Sequence, residues 1–155
     1  MPLYHHTQIG YMIIIPMIIF IAIMVTVPLS NAPELFLPLI VLGTVIIIGL
    51  FATLTIEVTD MHLKFWLGIG VFHKRIHISD ITSCKPTHTF IPAYGIHLTH
   101  RGWLYNVSGF TLIEITLKNG KRLLLGTDES EDLCKAITKR ITIVSQSTPQ
   151  NVRSI

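Results

Sequence analysis

The eight histidines are the side chains here best suited to chemistry, since imidazole binds metals and moves protons near neutral pH. His97 and His100 are the closest pair in a loop-like region. On a strand, a spacing of three would turn their rings to opposite faces; in a loop they could converge. His73 and His77 share one face of a strand, about 13 Å apart along the backbone. Neither pair carries the HExxH or Cys/His spacing of a metal site, so surface histidines are expected and no metal. Cys84 and Cys134 have no CxxC partner. Serine, histidine and aspartate all occur, but there is no GxSxG, P-loop or GxGxxG pattern. Gly68-Ile69-Gly70 reads as a turn between strands, and Glu57 and Glu114 as solvated carboxylates. The expectation is no catalytic residue, no cofactor and no enzyme activity.

Four cations have a different use. Lys74, Arg75, Lys85 and Arg101 could contact anionic lipid or a protein partner as diffuse charges, each contributing about 1 kcal/mol near a charged surface. A solvated basic rim is the plainer reading. Nucleic acid is not expected as a partner, because the basic excess after residue 54, 12 Lys and Arg against 8 Asp and Glu or +4, is too small.

The elements that must position these residues differ sharply along the chain. Half of the 155 residues are apolar and only 14% are charged, against about 25% in an ordinary soluble domain. Glu34 is the only charged side chain among residues 1–54. Two uncharged runs, about 9–29 and 35–54, flank the polar turn Ser30-Asn31-Ala32-Pro33-Glu34. At about 1.5 Å per residue, each run would cover a hydrocarbon core of about 30 Å as a helix, with Pro16 a potential kink. A cleaved signal peptide would need a basic start and a shorter apolar core. Residues 1–54 are therefore expected to be a two-helix transmembrane hairpin. All 12 Lys and Arg follow residue 54, which by the positive-inside rule places the remainder in the cytoplasm. There the two cysteines would remain reduced, partly buried thiols.

Residues 55–143 carry strand alternation. Leu54, Ile56 and Val58 alternate with polar residues, and so do Leu63, Phe65 and Leu67. Phe72, Ile76 and Ile78 oppose His73, Arg75 and His77, with Lys74 off the pattern. A shorter strand runs about 83–89, residues 90–101 read as loop, and strands follow at 102–107, 111–118 and 121–126. Asn119-Gly120 between two alternating runs marks a two-residue hairpin turn. The period then becomes helical through Leu133, Ala136, Ile137, Arg140 and Ile141, with Asp128 and Glu131 spaced as a capping box. Residues 144–155 are polar and expected to be a disordered tail.

Seven strands and a terminal helix, with Tyr94-Gly95-Ile96-His97, Gly102-Trp103-Leu104-Tyr105-Asn106-Val107, Ile113-Glu114-Ile115, Asn119-Gly120-Lys121 and Leu125-Gly126-Thr127, resemble the bacterial pleckstrin-homology-like (PH-like) domains of small membrane proteins over about residues 52–143. The resemblance implies a seven-stranded antiparallel β-sandwich or barrel capped by a C-terminal helix, in a membrane setting, and no reaction. Phosphoinositide-binding PH domains would have a basic loop between the first two strands, whereas Thr59-Asp60-Met61 is short and acidic. The whole chain is thus expected to be a membrane-anchored α+β protein of a bacterial inner membrane, multi-pass, with a cytoplasmic C-terminal domain. That domain would act as a protein-interaction or assembly module. The alternative is an anionic-lipid-binding or accessory subunit of a membrane transporter or enzyme. Expected partners are membrane lipids and a membrane protein or further copies of the chain.

Overall fold

A computed structural model of the protein describes residues 3–26, 35–89 and 94–147. Among these are nine strands and three helices. β1 (Tyr4–Ile9) leads into α1 (Tyr11–Thr26); α2 (Phe36–Phe51) leads into β2 (Thr53–Val58), β3 (His62–Leu67) and β4 (Phe72–His77). A 3₁₀ turn (Ile78–Asp80) precedes β5 (Ile81–His88), β6 (Gly95–Thr99), β7 (Gly102–Asn106), β8 (Thr111–Leu117), β9 (Arg122–Gly126) and α3 (Ser130–Ser147). One sheet has the order β1-β2-β3-β4 and the other β5-β8-β9-β7-β6.

The structure corrects the expected fold. No helix among the described residues is long and apolar enough to cross a membrane. α1 and α2 have 16 residues each, about 24 Å at the helical rise, short of a hydrocarbon core of about 30 Å. The first apolar run is shortened from its start, because Ile9 belongs to a strand and Gly10 to the junction. The transmembrane hairpin is therefore withdrawn. With it go the multi-pass inner-membrane location and the cytoplasmic orientation, which rested on two spans. The turn at 30–34 lies outside the described residues.

The strand count also changes from seven to nine, and the strands are not all antiparallel, since β7 and β9 pair in parallel through Trp103–Leu123 to Tyr105–Leu125. β1 escapes a pattern reading because it points Tyr4, His6 and Gln8, not aliphatic residues, towards the core side, opposite Val58, Ile56 and Leu54. β6 lies in the segment read as loop; its residues Gly95 to Thr99 are none of them fully buried, so burial leaves no alternation there.

The core forms where the two sheets and α3 meet. Leu54, Ile56, Leu63, Phe65 and Leu67 from the first sheet pack with Ile113, Ile115 and Leu125 from the second, and with Leu133 and Ile137 from α3. The helical stripe is as expected, but its start is built differently. Thr127 Oγ1 accepts from Glu129 N–H at 3.1 Å, while Asp128 turns to His6 Nε2 at 2.7 Å. α3 runs on to Ser147, into the segment expected to be disordered; residues 148–155 of that tail lie outside the described residues. Cys84 of β5 and Cys134 of α3 are not free thiols but a disulfide, with Cα atoms 5.5 Å apart, inside the usual bridging range.

The Asn119-Gly120 turn is real but one residue longer than expected. Gly120 N–H donates to Leu117 O, and Leu117 N–H to Lys121 O, both at 2.9 Å. The loop is thus Lys118-Asn119-Gly120, with Gly120 at φ +77°. This is the three-residue hairpin whose last position needs left-handed backbone.

Candidate functional site

The four candidate cations do not converge. Lys74 and Arg75 are neighbours on β4, so their side chains leave opposite faces of the sheet. Lys74 is opposite Phe65 on the core side, and its Nζ lies 5.8 Å from the centre of the Tyr105 ring. Arg75 is on the outer face, opposite Lys64, which pairs with Glu57 at 3.3 Å. Lys85 sits on β5 opposite Glu114, and Arg101 in the β6–β7 turn, where its N–H donates to Thr99 Oγ1 at 3.2 Å. They form no single basic patch.

The histidines separate as well. His97 Nε2 donates to Tyr94 O at 2.5 Å and so is drawn back along its own loop, away from a joint site with His100. His73 and His77 share the outer face of β4. His77 instead meets His62 across β3, with ring centres 4.2 Å apart. The bond from Ile78 N–H to Met61 O at 2.9 Å makes this a non-hydrogen-bonded pair, the closer kind. Partial burial, then the charges of His77, Arg75 and Lys64, hold the His62 pKa below its usual value. No group of three or more metal-binding side chains occurs among the described residues.

The feature that does converge is apolar. α1 and α2 are aliphatic on every side, and α1 buries none of its residues while α2 buries only Thr44. Both threonine hydroxyls are spent internally, with Thr44 Oγ1 donating to Ile40 O at 2.8 Å and Thr26 Oγ1 to Ile23 O at 3.0 Å. Ile15, Ile18, Ile19, Leu39, Leu42 and Val45 are all more than half exposed. The β3–β4 turn continues this surface through the exposed Ile69 and Val71.

Backbone contacts hold the pair to the sheets. Gly68 N–H donates to Thr53 O at 2.8 Å and Ile69 N–H to Gly49 O at 3.1 Å. Gly68 takes φ +51°, and a Cβ there would run into the backbone oxygens of Gly49 and Leu50. Glycine is therefore required where the turn docks on the end of α2.

Between the helices and the sheets lies a groove of about 540 Å³, lined by Ile13, Ile47, Phe51, Phe72, Tyr94 and Ile96 and almost wholly apolar. Phe51 and Phe72 stack across its floor with ring centres 5.6 Å apart. Reading the sequence for chemistry missed this groove, because its residues come from four separate elements. One signal was present: Lys74 breaks the alternation of β4, a cation on the same strand face as Phe72 and Ile76.

No family model matches the chain, and no curated protein matches it either.

Proposed function

We propose that the protein is an interaction or assembly module whose α1–α2 pair is covered by protein, with further copies of the chain as the simplest partner. One observation carries this reading: two neighbouring helices, apolar all round, fully bury only Thr44 within their own chain and leave a broad aliphatic surface exposed. Helices of that composition are ordinarily enclosed, and exposed apolar surface on this scale marks an interaction site. With Thr26 and Thr44 bonded internally, the exposed Tyr11 at the start of α1 is the one hydroxyl-bearing side chain the pair can offer a partner, so the contact it supports is mainly apolar packing. The resemblance to PH-like domains belongs to the same proposal, with the sheets and α3 as the scaffold that presents the helices.

Crosslinking in cells, followed by mass mapping of the linked peptides, tests it. Links between copies, or to another protein, should concentrate on residues 11–26 and 36–51. A chain that remains at its monomer mass of 17.4 kDa, with no links through either helix, overturns the reading.

A further inference from the structure

The groove is more than a gap left by packing. Its volume of about 540 Å³ falls in the range of about 300–1,000 Å³ typical of small-ligand sites, which are mostly apolar with a few placed polar groups. Among the described residues no charged side chain lines the groove itself, but Lys74 is the next residue on the same face of β4 beyond Phe72. Ile96 in the groove is opposite Tyr105 in the β6–β7 pair, and Lys74 Nζ lies above the Tyr105 ring. Lys74 is therefore bracketed from both sides of the groove. No ion pair among the described residues involves Lys74, and Glu57 and Glu114 pair with Lys64 and Arg122. A cation held over an aromatic ring beside an apolar channel is suited to a ligand with one anionic end and a long hydrocarbon remainder.

We propose that this groove binds a single long-chain anionic amphiphile, a fatty acid in its simplest form, with the carboxylate at Lys74 and the chain lying between Phe51, Phe72, Ile13, Ile47 and Ile96. The ammonium, over the face of the Tyr105 ring, donates hydrogen bonds to the carboxylate. The inference goes beyond the assembly reading and does not depend on it, because the groove lies inside one chain.

The test is photo-crosslinking of the full chain with palmitic acid carrying a diazirine near the end of its hydrocarbon chain. Label should map to Phe51, Phe72 and Ile96 and be competed away by excess unlabelled palmitate. Lys74→Glu should weaken competition by palmitate about tenfold, as loss and reversal of a charge-assisted hydrogen bond would, and leave competition by hexadecanol unchanged. Lys85→Glu, which alters a lysine on a distant strand, should change neither. Ile96→Trp fills the groove and should abolish the labelling; circular dichroism and an intact Cys84–Cys134 bridge would show that this variant still folds. Unsaturable label spread over the outer residues of α1 and α2 overturns the proposal, as does equal weakening of acid and alcohol by Lys74→Glu. Neither result bears on whether copies crosslink through their helices, so the two readings fail separately.

Discussion

Several single residues in this protein join elements that the chain itself keeps far apart. Cys84 and Cys134 close a loop of 50 residues between β5 and α3, and in a chain-entropy account such a bridge contributes about 4 kcal/mol. Disulfides persist in oxidising compartments and are rare where glutathione keeps thiols reduced, so the bridge also bears on where the chain folds. Reduction should lower the melting temperature well below that of the oxidised protein, and Cys134→Ala should match the reduced form; equal melting of oxidised and reduced protein would count against a stabilising bridge. Just before α3, Tyr4 donates its hydroxyl to Glu129 at 2.9 Å, beside the His6–Asp128 contact. Burial first, then the bond to Glu129, pushes the Tyr4 phenol above its ordinary value of 10.0. The folded state therefore holds this proton more tightly than the unfolded state does. The stabilisation is complete below pH 10 and is lost as pH rises beyond it. The fall in melting temperature above pH 10 should be shallower in Tyr4→Phe than in the unaltered protein.

At the scale of elements, α3 is the clearest case of sequence dictating structure. Leu133 and Ile137 are fully buried while Lys139 is exposed, as helical spacing requires. A buried Leu or Ile truncated to Ala costs about 2–5 kcal/mol, and a carboxylate at such a position costs more. Ile137→Asp should prevent folding, whereas Lys139→Asp should leave the thermal transition nearly unchanged. The β8–β9 hairpin was legible for a different reason. Gly120 must take positive φ, and nothing lies within 4 Å of a Cβ placed there, so the cost of Gly120→Val is conformational alone. A loss of about 1 kcal/mol or more is expected, read as a lower denaturant midpoint. β2 and β3 were readable because their aliphatic residues alternate with less buried ones, and β8 because Ile113, Ile115 and Leu117 alternate with Glu114 and Thr116. β9, buried on both faces, was readable only through the Asn119-Gly120 turn that precedes it. β1 was not readable, because Tyr4, His6 and Gln8 occupy its inner positions and are held there by Glu129, Asp128 and Ser108, contacts 100 residues or more away along the chain. The groove was illegible for the same reason: Ile13, Ile47, Phe72 and Ile96 have no shared period, and their elements meet through long-range contacts such as the β1–β2 pairing and the docking of the β3–β4 turn on α2. The disulfide, too, depends on packing that no spacing rule encodes. The apolar runs were legible as helices, but their usable length was not, since strand pairing of β1 with β2 decides where α1 begins.

That pairing also governs the molecule as a whole. β1 and β2 are antiparallel neighbours, with Ile9 opposite Thr53, and each joins its helix through one residue, Gly10 before α1 and Ala52 after α2. Gly10 N–H donates to Ala52 O at 2.6 Å, tying the two junctions together. No Gly/Ser-rich tether intervenes at either point, so the helices cannot swing independently of the sheets. The helix pair is in effect a continuation of the β1–β2 ribbon, fixed in direction by two connections instead of one. If assembly uses the α1–α2 surface, this geometry sets the orientation of each copy, and orientation should matter beyond mere attachment. Inserting about ten Gly/Ser residues at one junction, between Phe51 and Ala52, leaves the other junction and the Gly10–Ala52 bond to hold the pair, and assembly should survive. The same insert placed also between Gly10 and Tyr11 releases both connections. The sheets and α3 should then still fold with an unchanged thermal transition, while crosslinked oligomer yield falls. An insert between Leu54 and Thr55 is no substitute, because both residues are buried within β2 and the strand itself would be split. Full oligomer yield from the doubly inserted chain would show that tethering alone suffices, and the fixed direction of the helices would then have no part in assembly.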